Sequence, residues 1–252
     1  VVISAPDSAL LFGAGVLAGL VGTAGGITSL VSYPALLAVG LGALSASMTN
    51  IVSLVACWPG SALTSRPELA GNGPWLRRWA LVAAAGGLVG SVLLLSTSPG
   101  AFVAIVPYLL VLAALSLLAQ PRLTLWQQRR QLRTSRFVLP TGLFVASAYN
   151  GYFGAGSGIM ILALLLFAQE GDVATSNALK NMLVGVATFV SALTLVGLGH
   201  VEWAAAGPLA LGSFLGSTLG PLVARRIPAG LLRWLVALTG VGLAVRLWIS
   251  PL

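Results

Sequence analysis

The sequence predicts an all-α polytopic membrane protein made of two inverted-topology repeats. Each repeat holds a glycine-broken hairpin of short helices followed by three spanning helices. Three observations carry this. Apolar residues make up 58% of the 252 and charged residues only 7%, against about 25% charged in a soluble domain. A glycine-rich run occurs twice, at Gly19-Leu20-Val21-Gly22-Thr23-Ala24-Gly25-Gly26-Ile27 and at Gly151-Tyr152-Phe153-Gly154-Ala155-Gly156-Ser157-Gly158-Ile159, in register at an offset of 132. Loop charges then place equivalent loops of the two halves on opposite sides.

The mean hydropathy of +0.99 leaves too little polar surface to cover a water-soluble globule, so lipid must solvate the chain. The net charge of +8 raises nucleic acid as a partner. The basic residues cluster in short gaps between apolar runs, however, which is the pattern of cytoplasmic loops and not of a nucleic-acid face. One cysteine, Cys57, excludes an intrachain disulfide.

Ten apolar segments are expected, at about 8–22, 27–40, 43–63, 77–97, 101–119, 137–153, 157–168, 174–196, 203–224 and 229–249. A crossing helix needs about 20 residues. The first two segments of each half are expected to fall short of that, and the glycine runs lie between them. The duplication continues beyond the glycines. Ser45-Ala46-Ser47-Met48-Thr49-Asn50 matches Ser176-Asn177-Ala178-Leu179-Lys180-Asn181 at an offset of 131, and Gly86-Gly87-Leu88-Val89-Gly90-Ser91 matches Gly212-Ser213-Phe214-Leu215-Gly216-Ser217 at an offset of 126. The domains are therefore a first repeat at 1–119, a linker at 120–136 and a second repeat at 137–252.

Orientation follows from the arginines. The linker carries Arg122, Arg129, Arg130, Arg133 and Arg136 without an acid, and Arg77 and Arg78 open the fourth segment. Both are expected in the cytoplasm, with the uncharged turn at 98–100 outside. In the second half Arg225, Arg226 and Arg233 follow the ninth segment, while the gap at 197–202 has only His200 and Glu202. The sidedness is reversed, as in inverted-repeat transporters.

Glycine breaks in corresponding positions of two halves point to a transporter's binding site. The short helices after Gly26 and Gly158 begin with unpaired N–H groups, and these ends attract small anions. Close helix packing through small residues is the competing use of such glycines, and the two uses are compatible. Thr49, Asn50, Asn177 and Asn181 add polar groups to apolar segments, and Asn150 precedes the second run. Lys180 is the sole lysine and sits within the eighth segment. A cation there is costly and marks a functional position, unless it snorkels to Glu170 or Asp172. The candidate substrate site is thus Gly22, Thr23, Ala24, Gly25, Gly26, Thr49, Asn50, Asn150, Gly154, Ala155, Gly156, Ser157, Gly158, Asn177, Lys180 and Asn181. No acid falls in the middle of an apolar segment, so a carboxylate proton relay is not expected.

No cofactor and no metal site is expected, because no Walker, dinucleotide or metal-ligand pattern is present. Ser157 with His200 would suit an intramembrane serine protease only if the histidine reached the serine. His200 lies in a separate loop. That reading and a channel-like facilitator are the alternatives to a carrier. The expected partners are a small anion and the lipid bilayer, with the many small residues allowing a homodimer.

The glycine runs together with Tyr33-Pro34-Ala35-Leu36-Leu37, Thr49-Asn50, Tyr149-Asn150-Gly151-Tyr152-Phe153-Gly154-Ala155-Gly156-Ser157-Gly158, Lys180-Asn181, Gly199-His200-Val201-Glu202-Trp203 and Gly212-Ser213-Phe214-Leu215-Gly216 resemble the TauE/SafE family of sulfite exporters and related anion transporters. The likeness covers most of the chain. Ala24 and Asn150 stand where the family has glycine, and Asn150 adds a polar group. The resemblance implies transport of sulfite, thiosulfate, sulfonates or related organic anions across a bacterial inner membrane, in sulfur metabolism.

Overall fold

The first helix begins at a capping box. Ser4 Oγ accepts from Asp7 N at 3.3 Å, and Asp7 Oδ2 accepts from Ser4 N at 3.0 Å. From there the computed structural model describes residues 3–129, 137–168 and 173–224. Among them the elements are helical: α1 (Ala5–Gly25), α2 (Ser29–Ala38), α3 (Ala43–Leu54), α4 (Cys57–Thr64), α5 (Arg66–Leu69), α6 (Gly73–Ser96), α7 (Pro99–Arg129), α8 (Val138–Tyr152), α9 (Ser157–Ala168), α10 (Val173–Leu198) and α11 (Trp203–Ala224). Four stretches of these helices are long and apolar enough to cross a membrane: Ala5–Gly25, Gly73–Ser96, Pro99–Ser116 and Val173–Leu198. The tenth expected segment, 229–249, and the charged residues Arg130, Arg133, Arg136, Glu170, Asp172, Arg225, Arg226 and Arg233 lie outside the described residues.

Two expectations are corrected, and one helix runs on past its apolar segment. The first segment is not short, because α1 has 21 residues and reaches about 32 Å. Its counterpart α8 has 15. The third segment is not one helix. Pro59 has no N–H to give to the carbonyl of residue 55, and its ring crowds that carbonyl. The chain tightens there, with Val55 N donating to Val52 O at 3.4 Å and Ala56 N to Ser53 O at 3.3 Å, and restarts as α4. The basic linker, expected from residue 120, is helical up to Arg129 because α7 continues that far.

Both expected glycine breaks are present. α1 ends in a left-handed residue, Gly26 at φ +78°, whose N–H donates to Gly22 O at 2.6 Å. The break between α8 and α9 contains Gly154 at φ +83° and Gly156 at φ +80°. The two breaks touch. A Cβ at Gly26 would fall 2.6 Å from the Gly158 carbonyl carbon, and a Cβ at Gly158 would fall 2.7 Å from Gly26 Cα.

The long helices pair through small residues, which let backbones approach. α1 lies along α11, and α6 lies along α8. A Cβ at Gly216 of α11 would meet Val16 C at 2.8 Å and Leu20 N at 2.9 Å, both on α1. A Cβ at Gly90 of α6 would meet Ala148 C at 2.8 Å and Tyr152 N at 2.9 Å, both on α8. Gly90 and Gly216 are 126 residues apart, whereas Val16 and Ala148, like Leu20 and Tyr152, are 132 apart. These are the repeat offsets. Trp58 and Phe189, paired at 5.8 Å between ring centroids, are likewise related by the offset of 131.

Beyond the breaks, α3 holds two neighbours through adjacent residues. Thr49 Oγ1 accepts from Glu202 N at 3.1 Å, just before α11. Asn50 Oδ1 accepts from Ser32 Oγ of α2 at 2.5 Å. Thr49, Asn50 and Ser32 are all fully buried. Phe153, at the second break, packs edge-on to Tyr33 of α2 at 5.2 Å and against Phe102 of α7 at 6.3 Å.

Candidate functional site

Where the breaks meet α10 and α4 there is a small cavity of about 50 Å³, room for a few water-sized groups. The first break supplies Gly22, Thr23, Gly26, Thr28 and Ser29. The second supplies Asn150, Gly154, Ser157 and Gly158. One face of α10 supplies Lys180, Asn181, Val184, Gly185 and Thr188, at the spacing that puts residues on a single side of a helix. The end of α3 and the start of α4 close it with Leu54, Cys57, Trp58 and Ser61.

Lys180 is 1% exposed. Its Nζ does not reach out of the bundle. It donates to Gly22 O at 3.3 Å and Thr23 O at 3.4 Å, carbonyls in the last turn of α1 before the first break. An ammonium has three donors, so one remains for the cavity. Asn181 Nδ2 also donates to Thr23 O, at 3.2 Å. Asn150, 4% exposed, ties three helices together. Its Oδ1 accepts from Ser157 Oγ at 2.7 Å, and its Nδ2 donates to Thr188 Oγ1 at 2.9 Å. Ser29, 3% exposed, lines the cavity at the start of α2, and its hydroxyl bonds to no protein group among the described residues. No lining residue carries a carboxylate. The wall therefore offers one cation, an open hydroxyl, spare amide N–H donors and the N-terminal ends of α2 and α9. This arrangement suits an anion.

Nine of the expected site residues line the cavity: Gly22, Thr23, Gly26, Asn150, Gly154, Ser157, Gly158, Lys180 and Asn181. The others lie elsewhere. Ala24 and Gly25 belong to the last turn of α1, and Ala155 and Gly156 belong to the second break, where Gly156 backs onto Ala113 of α7. Asn177 stands behind the wall and donates to Thr23 O at 3.0 Å. Thr49 and Asn50 bind the loop before α11 and α2, so Asn50 does not share the cavity with its repeat counterpart Asn181.

Thr28, Ser29, Trp58, Ser61, Gly185 and Thr188 are lining residues that sequence reasoning missed. The helical spacing from Lys180 and Asn181 would have found Gly185 and Thr188. Thr28 and Ser29 follow the first glycine run directly. Trp58 lies against Gly185, where a Cβ would overlap the indole Cγ and Cδ1. Only three-dimensional packing reveals that contact.

Ser157 has no histidine beside it in this wall. Its hydroxyl is directed to Asn150 Oδ1 and, at 2.9 Å, to Gly154 O. His200 lines a second, wider cavity of about 380 Å³ with Gly42, Ser45, Met48, Pro99 and Val103.

Span-length apolar helices packed around two glycine breaks and a polar-lined cavity define a polytopic α-helical membrane protein. The chain belongs to the sulfite exporter TauE/SafE family, whose model matches residues 9–247. Among its relatives is a "Probable membrane transporter protein ORF9" of a Sinorhizobium species, 26% identical over 96% of this chain and 93% of the relative. Two proteins of Xylella fastidiosa, each called "Probable membrane transporter protein", are also similar. The one from strain Temecula1 is 28% identical over 86% of this chain and 85% of the relative. The one from strain 9a5c is 35% identical over 40% of this chain and 37% of the relative. No solved structure matches. The chain is a membrane transporter of this family.

Proposed function

We propose that the protein carries a small anion across the bacterial inner membrane by alternating access of two inverted repeats, 1–119 and 137–252, joined by a cytoplasmic linker. The substrate class is sulfite, thiosulfate, a sulfonate or a related organic anion. The single observation that carries the reading is Lys180, a buried cation without a carboxylate partner among the described residues, in a wall of hydrogen-bond donors between two touching helix breaks. A cation in an apolar span is retained where it serves a pathway. The family supports the sulfur oxyanion class. The equivalent packing of α1 on α11 and of α8 on α6 supports the inverted repeat.

The test is uptake by proteoliposomes holding the purified protein, with labelled sulfite, thiosulfate, sulfoacetate, chloride and acetate. Saturable uptake of one sulfur oxyanion or sulfonate is expected, with counterflow driven by the same anion on the far side, which needs a carrier cycle. Folded protein that moves none of the panel would overturn the reading. Ser29→Ala removes an open donor and no existing protein bond. It is expected to raise the half-saturating anion concentration about 3- to 10-fold, the worth of one hydrogen bond. An unchanged saturation curve would remove Ser29 from the site.

A further inference from the structure

The first break leaves the carbonyl end of α1 inside the bundle. Helix dipoles place about half a negative charge at such an end, and a buried end is screened less than one in open solvent. In transporters with discontinuous helices, such ends and their carbonyls commonly coordinate a sodium ion or a proton. Here the end is already occupied. Lys180 Nζ sits 3.3 Å from Gly22 O and 3.4 Å from Thr23 O. The Asn177 and Asn181 amides close on Thr23 O at 3.0 and 3.2 Å, while Asn177 Oδ1 stays buried and unpartnered. Among the described residues, the second break has no such cation. The repeat counterpart of Lys180 is Thr49, whose hydroxyl accepts from Glu202 N. The carbonyl of Gly154, counterpart of Gly22, instead receives the Ser157 hydroxyl at 2.9 Å. Among the described residues, the positive charge at a break therefore belongs to one half.

We infer that Lys180 is a tethered cation standing where a coupling ion would bind, neutralising the carbonyl end of α1 with two N–H donors and presenting the third to the anion. The inference rests on the transporter reading. On this basis the carrier binds and moves its anion without a co-bound metal cation. Removing the ammonium while leaving its space makes the same carbonyls a receptor for a free cation of similar chemistry, a primary alkylammonium or sodium.

The experiment compares wild type, Lys180→Ala and Lys180→Met in proteoliposomes, with sodium, potassium, N-methylglucamine or n-propylammonium as the cation. Wild-type anion exchange is expected to be the same in all four. In both variants exchange is expected to fall about 10- to 100-fold, as when charge-assisted hydrogen bonds are lost. Propylammonium or sodium restores Lys180→Ala at least in part. Lys180→Met is not restored, because its side chain fills the vacated stem. Wild-type accumulation driven by a sodium gradient would overturn the inference. So would a Lys180→Ala variant that is folded yet restored by neither cation, or one as active as wild type. Thermal unfolding of the purified proteins provides a readout that needs no transport. Propylammonium is expected to raise the melting temperature of Lys180→Ala and not of Lys180→Met. That shift, seen in a protein that moved no anion, would retain the cation site while refuting the transport reading. Its absence would refute the site.

Discussion

Gly26→Val is expected to eliminate transport and most of the folded protein. Two costs fall on one atom. The residue sits at φ +78°, where a β-branched side chain costs about 1–2 kcal/mol or more. The new Cβ also falls 2.6 Å from the Gly158 carbonyl carbon and 2.7 Å from Ile159 N. Neither is a side chain that can swing away. The two breaks would have to separate, adding about 1–3 kcal/mol of overpacking and spreading the donors that face the cavity. Gly25→Ala is the matched comparison, because its nearest new neighbour is Ile27 Cγ1 at 3.9 Å. Detergent-extracted protein should elute as a single folded species for Gly25→Ala and be scarce or aggregated for Gly26→Val. Wild-type uptake by Gly26→Val would show that the breaks do not need this contact.

Gly90→Leu and Gly216→Leu are expected to be equally damaging, although they lie in different halves of the chain. Each forces a side chain into the backbone of the helix it lies on, at matching distances of 2.8 and 2.9 Å. Core overpacking of this kind costs about 1–3 kcal/mol for a small excess, and a leucine against backbone exceeds it. Gly207→Leu is the control, since a Cβ there meets nothing within 4 Å. Melting curves of the purified variants decide the matter. If Gly90→Leu and Gly216→Leu differ widely, the two interfaces are not mechanically equivalent and the repeat argument loses its packing support.

The elements that could be read in advance were those with a local cause. Composition required lipid solvation, and the paired glycine runs located both breaks. Lys180 stands out in the sequence by its rarity, a single lysine in an apolar segment, and the fold places it in the cavity wall. What escaped had a non-local cause or a local cause passed over. Pro59 splits the third segment, and the pattern around it is visible in Trp58-Pro59-Gly60. Asn50 looked equivalent to Asn181, but its carbonyl oxygen is taken by Ser32 from a different helix. Repeat position fixes which residues correspond and leaves open what each one touches. Trp58 could not be assigned to the cavity from sequence, because its place depends on Gly185 far along the chain leaving room for the indole.

The adjacent bonds of Thr49 and Asn50 make α3 a connecting rod. Thr49 grips the chain entering α11, beside the wider cavity that His200 lines, and the next residue grips α2, which leads back to the first break. The grip on α2 is fully buried, so giving it up without a replacement costs about 1–3 kcal/mol. For α2 to tilt alone, it would have to leave behind a desolvated polar group. The lower-energy course is for α2, α3 and the approach to α11 to travel together. Motion at the buried break is thereby geared to motion at a distant loop, and a ligand seated beside His200 would load the same linkage.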